Sequence, residues 1–165
     1  MDSFIANDEN FLPGLSKMLC SHEKLTQELA TKCLDYVSVV PDNQTFVVTF
    51  DGMMKAIVQL LKNTRSIEAR SHCLQALVYL SENVKNRFTI ARTKGMLDEL
   101  KNCISFRDSV IPHRTIQVIY NICLLKENIP VIAKHSDLRI AIKARNSDVQ
   151  DRLNLSKEEY QGYQN

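Results

Sequence analysis

The chain has 165 residues, 44% of them hydrophobic and 24% charged, with four glycines and four prolines; these are globular proportions for one domain and exclude a disordered or collagen-like chain. Twenty-one lysines and arginines nearly balance nineteen aspartates and glutamates, which argues against a dedicated polyanion binder. No run of about eighteen apolar residues is present to span a membrane, and Met1-Asp2-Ser3-Phe4-Ile5 lacks the basic start and apolar core of a signal peptide.

In chain order, Phe4-Ile5-Ala6 stands for a curtailed opening helix, and Leu12 to Leu19 reads as a short helix. A longer one is expected over Glu23–Val39, where Ala30, Cys33, Leu34 and Val37 recur at three- and four-residue spacing. Phe46–Phe50 is β-branched, but its place in a repeat favours a helix. Met54 to Leu61 gives the next short helix and Ile67–Asn83 the next long one, with Cys73, Ala76, Leu77 and Leu80 as its stripe. Leu97 to Ile104 and Val110–Leu125 repeat the alternation, the latter with Thr115, Val118, Ile119 and Ile122. The leading residue of each stripe is small or short, as close helix crossing requires.

Punctuation supports the pattern. Ser21 and Ser66 precede glutamates at expected helix starts, where a hydroxyl satisfies orphan amides. Pro112 falls in the first turn of the third long helix, where proline loses no hydrogen bond. Gly52 and Gly95 lie at sharp turns that call for positive φ. Asn43, Asn86 and Asn128 open three similar segments at intervals of 43 and 42 residues. A period of this length, filled by short, short and long helices, is the mark of a stacked helical repeat.

The best-preserved stretches are Gly52-Met53-Met54-Lys55-Ala56-Ile57-Val58-Gln59-Leu60-Leu61, Cys73 to Ser81 and Asn86 to Gly95. They resemble the glycine-led leucine segment, the Ala-Leu-x-Asn-Leu helix and the inter-unit turn of the armadillo-repeat family, over about residues 10 to 142. The resemblance implies an all-α fold: a right-handed superhelical armadillo-like solenoid of about three and a half repeats. One domain is expected over residues 1–153, with repeats about 1–40, 43–83, 86–125 and a partial 128–153, followed by a polar tail over 154–165. The atypical ends would act as caps.

No convergent catalytic constellation or nucleotide, metal or hydrolase motif is present, so a non-enzymatic protein without cofactor or bound metal is expected. His22, His72, His113 and His135 are scattered. His72 and Cys73 point about 100° apart on a helix, and Asp98-Glu99 reads as a surface pair. The five cysteines are odd in number and unpaired by spacing, which fits buried small side chains in a reducing, intracellular compartment, cytoplasmic or nuclear.

The resemblance implies that the long helices line a groove for a partner segment. Carried onto this sequence, its residues are Lys32, Tyr36, His72, Gln75, Tyr79, Arg114, Gln117 and Asn121. Asn121 alone matches the family asparagine that clamps a peptide backbone; Tyr36 and Tyr79 take its place in the earlier repeats. Nuclear-import members carry tryptophan one turn earlier, and this chain has none, which argues against a receptor for nuclear-localisation signals. Tyrosine and arginine suit such an interface; the alternative for Tyr36 and Tyr79 is that they complete the core with their hydroxyls at the surface.

Charge is uneven along the chain: residues 1–40 carry six acids against three lysines, and residues 85–114 seven bases against three acids. Arg87, Arg92 and Lys94 form a candidate basic surface, an ordinary solvated face or a contact for an acidic protein. The expected function is a protein-interaction adaptor. The alternatives are a structural subunit or self-associating module that uses the solenoid ends and, more weakly, nucleic-acid binding through the basic half, which lacks interleaved aromatic residues.

Overall fold

The computed structural model describes residues 8–145, which form an all-α protein. The described helices are α1 (Phe11–Leu19), α2 (Lys24–Val39), α3 (Pro41–Thr49), α4 (Met53–Asn63), α5 (Ile67–Glu82), α6 (Val84–Arg92), α7 (Met96–Ile104), α8 (Val110–Cys123), α9 (Ile129–Lys134) and α10 (Ser136–Arg145); a 3-10 turn at Lys126–Asn128 precedes α9. The expected opening segment Phe4-Ile5-Ala6, the end of the partial fourth repeat and the 154–165 tail lie outside the described residues. No single described helix is long and apolar enough to cross a membrane.

Packing follows the period. The long helices α2, α5 and α8 pack in that order, α1, α4, α7 and α10 form a second succession, and α3 packs on α6, which in turn packs on the 3-10 turn and α9. The small residues that lead the three stripes, Ala30, Cys73 and Thr115, are all fully buried, and the Thr115 hydroxyl donates to the Ile111 carbonyl at 2.7 Å. One continuous apolar core runs from Leu12 to Ile142. Each fully buried leucine or isoleucine in it, such as Leu34, Leu77 or Ile119, contributes about 1.5–3 kcal/mol relative to exposure.

The recurring asparagines have a physical task. A helix ends with orphan carbonyls, and Asn43, Asn86 and Asn128 each donate their amide to one in the last turn of the preceding long helix: Val37 at 3.2 Å, Leu80 at 3.1 Å and Ile122 at 3.0 Å. Asn86 and Asn128 also donate one unit back along the chain, to the Gln44 and Arg87 carbonyls. The same amide thus closes a helix and ties neighbouring units. Among the described residues, the side-chain hydrogen bonds that reach furthest along the chain span 33 to 43 residues, one unit apart.

Local expectations are met with exceptions. Gly52 and Gly95 both adopt φ 84° at the starts of α4 and α7; at Gly95 an added Cβ would also meet Val58 Cγ1 at 3.2 Å. The segment containing Phe46–Phe50 is helical through Thr49, because its apolar residues pack between α2 and α6. Pro112 is buried in the first turn of α8. Ser66 caps α5 by accepting from the Ala69 amide at 3.1 Å. Ser21 does not cap α2, which starts after Glu23; its hydroxyl accepts from the Glu23 amide instead. Glu99 is buried rather than on the surface, and its carboxylate accepts from Asn102. Cys20 is exposed, unlike the buried thiols expected.

Candidate functional site

Residues spaced three or four apart on a helix share a face. This places Lys32 and Tyr36 together on α2, His72, Gln75 and Tyr79 on α5, and Arg114, Gln117 and Asn121 on α8. Two adjoining open depressions run along α5 and α8. One, of about 700 Å3, is lined by Gln75, Tyr79, Arg114 and Gln117 together with Val78 and His113. The other, of about 520 Å3, is lined by Ile67, Glu68, Ser71, His72 and Asp108. Ser109, Val110 and Arg114 border both. Five of the eight expected groove residues are thereby brought to one strip. Two large apolar side chains stand open along it, Ile67 at 60% and Val110 at 47% exposure.

The eight residues divide by what they already hold. Lys32 is ion-paired with Glu68, and an Asp35 oxygen lies 2.8 Å from His72 Nδ1. Arg114 Nη1 donates to the Ser71 carbonyl at 2.7 Å and to its hydroxyl. Asn121 Nδ2 donates to Ser81 Oγ at 3.0 Å and more weakly to the Val78 carbonyl at 3.4 Å. Asn121, the residue that matches the family's peptide clamp, therefore spends its donor on α5 and offers a partner only its oxygen. Tyr36, Gln75, Tyr79 and Gln117 have no side-chain hydrogen bond among the described residues. Tyr36 is 78% exposed, so it is not a core residue, and Tyr79 is half-buried.

The basic surface is mostly occupied. Arg87 donates from Nε to the Ser81 carbonyl and from Nη2 to Glu82, at 2.9 and 3.0 Å, where α5 ends. Arg92 holds Asn128 and the Glu127 carbonyl and lies 3.8 Å over the Phe88 ring. Lys94 is exposed and has no partner among the described residues. Guanidinium groups so committed cap helix ends, and a phosphate backbone would have to displace those bonds.

Sequence reasoning missed Arg70, which is 8% exposed. Its guanidinium donates to the Leu61 carbonyl and, at 2.8 Å, to that of Thr64, lies 3.7 Å from Cys103 Sγ and packs 4.7 Å over Phe106. The available signal was a charged residue interrupting the apolar face that holds Cys73 and Leu74. Burial pushes the Cys73 thiol far above its usual range; burial also raises Cys103, with Arg70 opposing it. Both are therefore inert thiols in the folded chain. His135 sits 2.9 Å from Asp98 and accepts from the Leu138 amide at the start of α10. Among the described residues, no group of three or more His, Cys, Asp or Glu is placed to hold a metal ion. No protein-family model matches the chain, and no curated protein matches it significantly.

Proposed function

We propose that the three packed helical units form a short right-handed armadillo-like solenoid that works as a non-enzymatic adaptor, holding an extended or helical segment of a protein partner along α5 and α8. The observation that carries this reading is the strip itself: Gln75, Tyr79 and Gln117 face one open depression with unspent hydrogen-bonding groups, and Tyr36 continues the series on α2. Amphipathic tyrosine and amide side chains on rigid helices suit backbone and side-chain recognition at low entropic cost. Lys32, His72, Arg114 and Asn121 border the strip and are held in place by their inter-unit bonds. Free thiols fit a cytoplasmic or nuclear setting for this role.

The test is to select peptides from a random display library against the folded chain and measure their affinity for the Tyr79→Ala/Gln117→Ala variant. Neither side chain has a hydrogen bond among the described residues, so the variant is expected to melt within a few degrees of wild type and to lose most of the affinity. Equal binding by the variant overturns the reading.

A second reading, self-association through an end of the stack, is favoured by a specific observation. Leu25 and Leu29 on α2 are 61% and 52% exposed, where α5 carries Glu68 and His72 at the corresponding places. Light scattering separates the two: a monomer of 18.9 kDa supports the adaptor, and a dimer lost in Leu25→Glu/Leu29→Glu supports association through α2.

A further inference from the structure

A further cavity lies away from the strip, at the edge where α1 turns into α2 and α4 into α5. It is an open cleft of about 840 Å3, the size of a small-molecule site. Three basic side chains line it: His22 and Lys24 between α1 and α2, and Arg65 after α4. His22 and Arg65 stand 43 residues apart, so successive units supply a basic side chain at the same place and both reach one cleft. The third unit has Asp108 at that place, which confines the basic edge to the first two.

No carboxylate lines the cleft. The nearby acids are engaged: Glu28 lies 3.6 Å from Lys24 and accepts from the Ser66 hydroxyl at 2.6 Å, and Glu23 accepts from Thr26 at 2.6 Å. Setting Glu28 against Lys24 still leaves Arg65, which is always protonated, and His22. Among the described residues neither has a hydrogen-bond or ion-pair partner. Neutral donors accompany them. The Cys20 thiol donates to Gln59 Oε1 at 3.3 Å, which occupies the amide oxygen and leaves Gln59 Nε2 to give; the Asn63 amide is likewise unengaged.

An open guanidinium, neutral donors and the lack of a lining carboxylate select a compact anion with several acceptor oxygens. A phosphate monoester has about two negative charges and three terminal oxygens near neutrality, and the planar fork of arginine matches two of those oxygens at once. The volume exceeds what a bare ion fills and leaves room for the group carrying the phosphate. We propose that this cleft binds a phosphate monoester, with Arg65 as its bidentate anchor and His22, Lys24, Gln59 and Asn63 as further donors around it.

The test is a titration of isotope-labelled protein followed by amide chemical shifts. The probes are inorganic phosphate, O-phosphoserine and adenosine monophosphate, with sodium chloride at matched ionic strength as control. The expected result is saturable shifts confined to residues 19–27 and 59–66, tighter for one of the esters than for inorganic phosphate; the tighter ester identifies the carrier as a phosphorylated side chain or a nucleotide. Arg65→Gln should weaken binding about tenfold or more, the worth of a charged hydrogen bond, whereas Arg107→Gln, at an exposed position outside the cleft, should not. Arg65 has no partner to lose, so its replacement leaves the melting curve unchanged and any loss of binding reports the site. Shifts that chloride reproduces, that map elsewhere, or that survive Arg65→Gln overturn the proposal.

Discussion

Where the second unit meets the first, the polar bonds run from side chain to side chain: Thr64 to Gln27 at 2.8 Å, Ser66 to Glu28 at 2.6 Å, Lys32 to Glu68 and Asp35 to His72. Where it meets the third, they run to main-chain carbonyls, to serine hydroxyls and to a buried sulfur. Arg114 reaches the Ser71 carbonyl and Asn121 reaches α5, while Arg70 holds two carbonyls of its own unit and leans on Cys103 and Phe106. The difference is one of reliability. Partly exposed ion pairs are screened by salt and contribute little. A guanidinium that never loses its proton, bonded to carbonyls that water cannot reach, holds under all ordinary conditions. The equivalent of Arg70 in the first unit is Gln27, which donates to the Ser21 carbonyl at 2.7 Å and accepts from Thr64. The two residues do the same job with different strength.

The largest expected effect follows from breaking that second junction. Arg70→Ala removes the donors of two buried carbonyls and opens a cavity against Phe106, a cost of about 3–5 kcal/mol, to be measured as a fall in the urea midpoint. Gln27→Ala should cost about 1–2 kcal/mol. If both cost the same, the contrast between the junctions fails. Thiol labelling sharpens it: in wild type the exposed Cys20 should react first and Cys73 and Cys103 only on unfolding, whereas Arg70→Ala should release Cys103 well before Cys73.

Next in size is the asparagine that ties α3, α5 and α6 together. Asn86 is 1% exposed and donates to two carbonyls 42 and 6 residues earlier. Asn86→Ala should cost about 2 kcal/mol and Asn86→Asp about 3 kcal/mol, because a carboxylate sets acceptor against acceptor. Thermal melts of the two variants check the order, and a more stable aspartate variant would mean that the amide is not the tie.

This asparagine shows what the sequence makes legible. Its recurrence marked the period, and the period with the 3.6-residue stripes placed the three long helices to within two residues of their observed ends. Helix position depends on local periodicity, which a sequence displays directly. The fate of Arg114 and Asn121 depends instead on which atom stands opposite in a unit some forty residues away, so a residue read as a free groove contact is found bonded to Ser71 or Ser81. Arg92 illustrates the same limit: its charge is visible in the sequence, but its partners Asn128 and Glu127 stand 36 and 35 residues away, whereas Arg87 bonds locally to the end of α5. The places of half-buried Tyr79 and exposed Gln117 on their helices follow from the helical period alone, because neither depends on a polar partner among the described residues.

At the first junction the effects are smaller. The Asp35–His72 contact is partly exposed on both sides, so a double-mutant cycle of Asp35→Asn with His72→Gln should return about 0.5–1 kcal/mol of coupling. A coupling as large as the loss in Arg70→Ala would place the stronger bond at the wrong junction.

The smallest effect belongs to Lys32 and Glu68, and pH tells it apart from packing. The hydrogen bond and charge of Lys32 hold the Glu68 carboxyl below its ordinary 4.5, and Glu68 in turn holds the Lys32 ammonium above 10.5. A depressed carboxyl stabilises the fold above its unfolded value, and that gain is lost as pH falls through the folded one; a raised ammonium stabilises below its unfolded value and loses the gain as pH climbs. The pair therefore acts between these limits and weakens outside them. Glu68→Gln should lower the melting temperature slightly at pH 7 in dilute buffer, and no longer do so near pH 3 or in about 1 M salt, where screening reaches a few ångströms. Arg70→Ala should keep its deficit under all three conditions. If Glu68→Gln kept a deficit there too, the side chain would be acting through its packing on α5, and the first junction would be held by the same means as the second.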